Sequence, residues 1–370
     1  MLMDSPANAI ASLADRVRRA AAAGTPLRIR GGGSKDFYGQ ALTGELLGTA
    51  ELAGITSYEP SELVVTAGAG TPLAELEALL SEHGQCLPFE PPHFGGNATV
   101  GGMVASGLSG PARASAGAVR DYVLGLQLIN GKGEHLTFGG QVMKNVAGYD
   151  VSRLMAGAMG TLGLITEVSL KVLPVAPAEA TLRFECSQSE ALQRLNAWGG
   201  QPLPLNASCW LEENGTGTLY LRLRGAIAAV EAACKTLALS GGERKENVAS
   251  DWDACRDQQL PWFTERPDTH DLWRLSVPQT APVLNLPEPP LIEWHGALRW
   301  VRASADHAQG LREVAKAAGG HATLFGAAAP GGSIARFDAL KPPLDRIHRQ
   351  LMHEFDPAGI FNPGRMYPGL

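Results

Sequence analysis

Three clusters of glycine constrain this chain more than any other feature. The first is Gly31-Gly32-Gly33 inside RIRGGGSKDFYG (28–39), directly after a short extended stretch. The second, ATVGGMVASGLSG (98–110), offers Gly101, Gly102, Ala105, Ser106, Gly107 and Gly110. The third, AGAMGTLGLITEVSL (156–170), feeds glycines into a strand-like run. Residues without a Cβ accept positive φ and let backbones or ligands approach closely. Taken alone, the first run reads equally well as a plain turn or as a loop whose successive N–H groups cup an anion. It is not a Walker motif, because Gly33-Ser34-Lys35 has the wrong order and Gly131-Lys132 is followed by Gly133. No G-x-G-x-x-G follows a predicted strand, which argues against a Rossmann dinucleotide site. The second track is either a tightly packed core segment or a second wall for a flat ligand. Two such tracks could grip a diphosphate from both sides through amide donors.

The chain is long enough for two or three domains. With 45% apolar and 18% charged residues among 370, it can bury large cores. A net charge of −6 provides no basic field for nucleic acid or an anionic membrane. The five cysteines are odd in number and scattered, with no C-x-x-C pair, which argues against a disulfide framework, a zinc site or an iron–sulfur cluster held by this chain alone. A reduced, cytoplasmic setting is the expectation, peripheral on the inner face of a bacterial membrane only through a partner. Neither a signal-peptide block nor an apolar stretch of spanning length is visible.

All seven tryptophans fall between Trp198 and Trp300, whereas glycine clusters gather before residue 165 and return after 319. This shift sets three expected segments: 1–175, a middle 176–325, and a tail 326–370 that returns to the first. Pro174 and Pro177 mark the first boundary. In the first segment the spacing predicts a helix over 9–23, a strand over 63–67, and a helix capped by Thr71 with Pro72 at its first position. A hairpin turned on Asn130-Gly131 follows, then TEVSLKV with Val168, Leu170 and Val172 on one face. The middle segment reads as strands, a hairpin through Asn214-Gly215 and helices over 226–239 and 306–318, hence an antiparallel sheet covered by helices. The tail carries a helix with Leu344, Ile347, Leu351 and Phe355 on its apolar face, ended by Asp356-Pro357.

Read in order, RGGGSK, VVTAGAGTPL, LPFEPPHFGGNATVGGMVASGLSG, KNVAGYDVSRLMAGAMGTLGLITEVSLKVLP and FDPAGIFNPGRM resemble the FAD-binding superfamily of vanillyl-alcohol oxidase and D-lactate dehydrogenase. MKNVAGYDVSRLM and PFEPPHFGGNATVGGMVASGLSGPARA resemble, more narrowly, the E-subunit family of bacterial glycolate oxidase. The resemblance implies an α+β chain: a two-part FAD-binding domain of the vanillyl-alcohol oxidase (PCMH) type plus an antiparallel-sheet α+β cap domain. It also implies that Gly31, Gly32, Gly33, Ser34 and Lys35 wrap the FAD pyrophosphate. Thr99, Gly101, Gly102, Ala105, Ser106 and Gly107 would line the diphosphate and ribityl path, Ile165 would meet the adenosine half, and Asn362 would approach the flavin ring. The partners implied are a catalytic flavoprotein subunit and an iron–sulfur subunit, with glycolate as the small 2-hydroxy acid oxidised by the complex.

Departures from the family sharpen these expectations. Covalent members carry a histidine in the glycine loop where this chain has Ser34, so the FAD is expected to be non-covalent. Catalytic D-type relatives carry a His-Gly-His-x-Gly-Asp-Gly-Asn cluster, whereas here GGHATLF leaves His321 alone, too few ligands for a metal. His348 and His353 read as surface residues, and His93 as structural. The polar residues expected nearest the flavin are Lys144, Asn145, Tyr149 and Arg365. Lys144 and Asn145 lean toward function by their motif, while Tyr149 reads equally as a core hydroxyl and Arg365 as a surface charge. Three functions follow: a flavin-holding, electron-relaying subunit; a self-sufficient 2-hydroxy-acid dehydrogenase using Arg299, Arg302 or His321; or a structural subunit that has lost flavin.

Overall fold

The computed structural model describes residues 6–140, 150–213, 215–328 and 334–369. The first helix, α1 (Pro6–Ala23), buries Leu13, Val17 and Ala20 at helical spacing and ends at Gly24, whose φ is +62°. It covers a two-stranded parallel sheet of β1 (Leu27–Arg30) and β2 (Glu45–Gly48). The C-terminal segment joins that small sheet: Leu27 N–H donates to Ile360 O at 2.7 Å, and Asn362 N–H to Leu27 O at 3.0 Å.

A five-stranded antiparallel sheet follows, built from β3 (Ile55–Glu59), β4 (Val64–Gly68), β5 (Val123–Ile129), β6 (His135–Gly139) and β7 (Leu164–Lys171) in the order β3-β4-β7-β5-β6. The period-2 pattern of TEVSLKV aims Val168, Leu170 and Val172 into a core shared with Val65 and Ala67. Over it lie α2 (Leu73–Glu82), through Leu73, Leu76 and Leu80, and α3 (Val100–Ser106), through Val100, Met103 and Val104.

The rest of the chain builds an eight-stranded antiparallel sheet. Its members are β8 (Ala178–Glu185), β9 (Leu205–Glu213), β10 (Thr216–Gly225), β11 (Glu243–Lys245), β12 (Asp271–Ser276), β13 (Leu291–Glu293), β14 (Leu298–Ala303) and β15 (His321–Gly326). They pair in the order β11-β8-β10-β9-β13-β14-β12-β15. Helices α4 (Gln188–Gly199), α5 (Ile227–Ala238), α6 (Ala249–Arg256) and α7 (Ala308–Ala317) pack on it, and α8 (Leu344–Phe355) precedes the tail. The α+β class with an antiparallel sheet in the middle segment is as expected. No described helix is long and apolar enough to cross a membrane.

Several local expectations are corrected by tertiary contacts. Thr71 does not cap α2: its hydroxyl accepts from Gly54 N–H at 2.9 Å and donates to Gly54 O at 3.1 Å. The N–H of Leu73 is taken by Ala98 O instead. The β5–β6 connection is not a two-residue turn but the five residues 130–134, which the Asn130 side chain organises by accepting from the Lys132 and Glu134 amides. On α8, Leu351 and Phe355 reach the first core, yet Leu344 and Ile347 remain 59% and 50% exposed. Strands β2 and β15 carry no clear period in sequence and were not anticipated.

Candidate functional site

The glycine loop leaves β1 and turns across the front of the α3 segment. At Gly32, an added Cβ would fall 1.4 Å from Asn97 O, and at Gly31 it would fall 2.4 Å from Thr99 Oγ1. Glycine is therefore required for the loop to lie against residues 97–99, and Gly33 holds φ +78°. Among the described residues, none of the five backbone N–H groups from Gly31 to Lys35 donates to a protein acceptor. Lys35 Nζ lies 3.2 Å from Ser34 Oγ and 5.6 Å from the Phe94 ring centroid. No carboxylate lies within ion-pairing distance of it among the described residues. Burial lowers its pKa to about 8, with the more distant Asp257 opposing that shift. This ammonium is thus charged at neutral pH and, among the described residues, makes no ion pair.

These groups line a cleft of about 540 Å³ that includes Gly31, Gly32, Gly33, Ser34, Lys35, Thr99, Gly102, Ala105, Ser106, Asn362 and Arg365. Sharing the wall of Gly31, Gly102, Ala105 and Asn362, a more apolar recess of about 420 Å³ continues past Gly101, Gly163 and Ile165. Five free amides and an unneutralised ammonium at one end, with a side-chain-poor slot leading away, form a donor set that fits the diphosphate and extended body of FAD.

The second glycine track contributes space more than donors. Gly101 N–H donates to Ala69 O at 2.8 Å, and Gly102 N–H to Thr99 Oγ1 at 3.2 Å. A Cβ at Gly101 would stand 2.7 Å from Ala69 Cβ. The expectation that both tracks present free amides to the ligand is therefore corrected: the amides at the start of α3 are consumed by the β4–α2 connection and by the Thr99 cap. Gly107 lies outside both cavities. It adopts φ +64° to end α3, and a Cβ there would meet Gly157 Cα at 2.8 Å.

Asn362 and Arg365 line the cleft, but their polar atoms face the protein. The Asn362 side chain accepts from Ile29 N–H at 2.9 Å and donates to Met159 O at 2.7 Å, stapling β1 to the third glycine track. Arg365 donates to Gln40 O at 2.5 Å and to Lys35 O and Asp36 O at 3.2 Å each, so it fixes the exit of the glycine loop. Burial lowers its pKa to about 10, which leaves it cationic. Lys144, Asn145 and Tyr149 lie outside the described residues. Met159, Gly160 and Thr49 belong to these walls although sequence reasoning did not select them. Met159 could have been suspected because it sits inside the third glycine track, where it takes φ +52°.

The basic groups considered for a substrate pocket do not form one. Arg299 is fully buried, donating to Gly296 O and to Ala281 O. Arg302 stacks on Trp262 at 4.8 Å and faces Glu288 at 3.4 Å. His321 starts β15 on the surface. His93 has a structural part: its N–H donates to Asp257 Oδ1 at 2.6 Å, and its ring lies 2.8 Å from Glu77. The loop that carries Glu90 is tied to the eight-stranded sheet by its carboxylate, which meets Arg222 at 2.5 Å and Arg224 at 3.1 Å on β10. The Trp294 indole N–H adds a bond to Gly110 O at 3.0 Å.

The comparisons agree with this geometry. Residues 7–139 match the family of FAD binding domains. The solved structure of alkyldihydroxyacetonephosphate synthase superposes with a TM-score of 0.65 over 95% of this chain and 75% of that one, at 16% identity, so the fold is shared. D-lactate dehydrogenase of Archaeoglobus fulgidus is 35% identical over 157 residues, covering 40% of this chain and 33% of that protein. Glycolate oxidase subunit GlcD of Bacillus subtilis is 30% identical over 159 residues, 42% of this chain and 34% of that one. Glycolate oxidase subunit GlcE of Escherichia coli is 48% identical over 359 residues, which is 97% of each chain. With that identity along nearly the whole length, the chain belongs to the GlcE family of glycolate oxidase subunits, built on an FAD binding domain.

Proposed function

We propose that this chain is the FAD-holding subunit of a glycolate-oxidising assembly. In it, residues 1–175 and 326–370 enclose the flavin and residues 176–325 cover it. The observation that carries the reading is the set of five free amides, Gly31 to Lys35, beside the unneutralised Lys35 ammonium. These groups would hold the diphosphate, whose charge replaces the missing counter-ion of Lys35. The Gly101–Ala105 wall would admit the ribityl chain because it presents no bulky side chain, and backbone atoms near Ile165 would meet the adenosine half. Asn362 and Arg365 would act as positioning residues, holding β1, the third glycine track and the loop exit in register. Bound FAD supplies a ring that takes up and passes on two electrons. Ser34 stands where a covalent histidine would be needed, so the flavin is held by hydrogen bonds alone.

In this reading, glycolate is converted to glyoxylate by the assembly in the cytoplasm, at the membrane only through partners. This chain relays electrons between a catalytic flavoprotein subunit and an iron–sulfur subunit. The test is to purify the chain alone and with those subunits. Acid precipitation should release FAD into solution, and glycolate should bleach the flavin rapidly only when the catalytic partner is present. Rapid bleaching of the isolated chain would instead favour a self-sufficient dehydrogenase. A chain that takes up no FAD would favour a structural subunit.

A further inference from the structure

The run RGGGSK places an amine two residues after three glycines, so the loop that lines the cofactor cleft also carries a nucleophile. Lys35 is half-buried, with Nζ 3.2 Å from Ser34 Oγ and 5.6 Å from the Phe94 ring centroid. Among the described residues no carboxylate pairs with it. Withdrawing an ammonium from water without a carboxylate beside it favours the neutral amine, the form that attacks a carbonyl carbon. The amides of Gly31 to Lys35, which donate to no protein acceptor among the described residues, favour an anion in the same place. A molecule whose carboxylate is joined directly to an aldehyde carbon answers both preferences at once. The amides take the carboxylate and bring the reactive carbon to the amine. The wall is clear of bulk there, because Gly31, Gly32, Gly33 and Gly102 carry no side chain.

We infer that Lys35 is a modification site for an aldehydic 2-oxo acid, glyoxylate, which it takes up as an imine. The nitrogen lone pair adds to the aldehyde carbon, and the C=O π pair becomes the hydroxyl of a carbinolamine. Loss of that hydroxyl with a nitrogen proton leaves a C=N bond and one water, with no change of oxidation state. The step removes a cation and adds a carboxylate where the cofactor diphosphate is proposed to lie. Oxo acid and flavin therefore exclude one another, and accumulated product holds back flavin uptake by the flavin-free chain. The supply of glyoxylate rests on the function proposed above; the reactivity of the site does not.

Full-length protein, flavin-free and flavin-loaded, is treated with glyoxylate and cyanoborohydride, which reduces the imine to a stable N-carboxymethyl amine. Peptide mapping by mass spectrometry then reads each lysine. In the flavin-free chain Lys35 should react at least tenfold faster than Lys235 and Lys316, exposed on α5 and α7. It should also prefer glyoxylate at least tenfold over glycolaldehyde, an aldehyde without the carboxylate. Inorganic phosphate should slow Lys35 at least threefold by competing for the amides, and bound FAD should protect it. Gly32→Ala, which displaces the amide row, should lose the preference for glyoxylate; phosphate competition in the parent chain tests the same point if that variant folds poorly. Burial lowers the Lys35 pKa to about 8, so about a tenth of the amine is neutral at pH 7. The charged groups around it are the more distant Asp257, Arg365, which donates to Lys35 O at 3.2 Å, and Asp36, paired with Arg30 at 2.7 Å. Modification should accelerate as pH rises toward about 8 and level off above it. Chain trapped at Lys35 should bind FAD at least tenfold more weakly. Equal rates at the three lysines, no preference over glycolaldehyde, or no protection by phosphate would overturn the inference. An unmodified Lys35 in a chain that binds FAD normally sinks it and leaves the cofactor reading intact; selective modification in a chain that takes up no FAD does the reverse.

Discussion

Gly32→Ala tests the cofactor cleft most directly. The added Cβ would lie 1.4 Å from Asn97 O and 2.5 Å from Asn97 C, both backbone atoms that cannot swing aside. Restoring ordinary contact near 3.4 Å requires about 2 Å of movement. Overpacking of this kind costs about 1–3 kcal/mol of stability. The consequence for binding is larger, because the shift moves the amide array off the diphosphate. Losing two charge-assisted hydrogen bonds at about 1.5–3 kcal/mol each amounts to about 3–6 kcal/mol, or roughly 10²- to 10⁴-fold in Kd. The assay is titration of flavin-free protein with FAD, followed by quenching of flavin fluorescence, with a thermal melt of each variant. Gly48→Ala, where nothing lies within 4 Å of the added Cβ, is the control and should bind FAD normally. If Gly32→Ala bound FAD within threefold of the parent and melted at the same temperature, the close approach of the loop to residues 97–99 would not shape this site.

Four further outcomes follow from the same geometry. Lys35 is charged below its pKa of about 8 and neutral above it, so FAD affinity should fall as pH rises from about 7.5 to 9.5; Lys35→Met should be weaker throughout and lose that slope in the same titration. Asn362→Ala strands Ile29 N–H and Met159 O, two backbone groups at a residue 3% exposed, and should cost about 2–5 kcal/mol in urea unfolding. Glu90→Ala leaves Arg222, 3% exposed, without its carboxylate, and should cost about 3–5 kcal/mol and perturb the fluorescence of Trp252, on which Arg222 stacks at 4.8 Å. Glu293 has a folded pKa of about 7 against an ordinary 4.5, so the native state holds this proton more tightly than the unfolded chain. Its contribution is complete below about pH 4.5 and is lost as pH rises through 7, about 3 kcal/mol in all, and E293Q should remove that part of the stability-versus-pH curve.

Much of the fold was legible because its causes are local. The period-2 run of TEVSLKV places Val168, Leu170 and Val172 at the core of the first sheet. Thr71 misled for the opposite reason: as a local pattern it is a good cap, but Gly54, 17 residues earlier, takes its hydroxyl. The exposed Leu344 and Ile347 misled likewise, since a helical stripe says which residues share a face and not how far a neighbouring core extends along it. Strand β15 was missed because HATLFG is short and becomes extended through its pairing with β12.

The sequence by itself determined where the chain could come close to itself or to a ligand, since glycine spacing dictates where Cβ atoms are absent. It also determined the antiparallel habit of the middle segment, through alternation and hairpin chemistry. Only the tertiary structure decided what those tracks do. Gly101 N–H is used up by Ala69 O from a different element, whereas among the described residues the amides of Gly31 to Lys35 donate to no protein acceptor. The same holds for charge: in sequence Lys35, Arg274, Arg299 and Arg365 are equivalent cations. Folding gives Arg299 and Arg365 to backbone carbonyls and, among the described residues, leaves Lys35 in the cofactor cleft with no carboxylate at ion-pairing distance. Hydrogen-bond and charge balance depend on contacts between residues far apart in the chain, and local pattern carries no record of them.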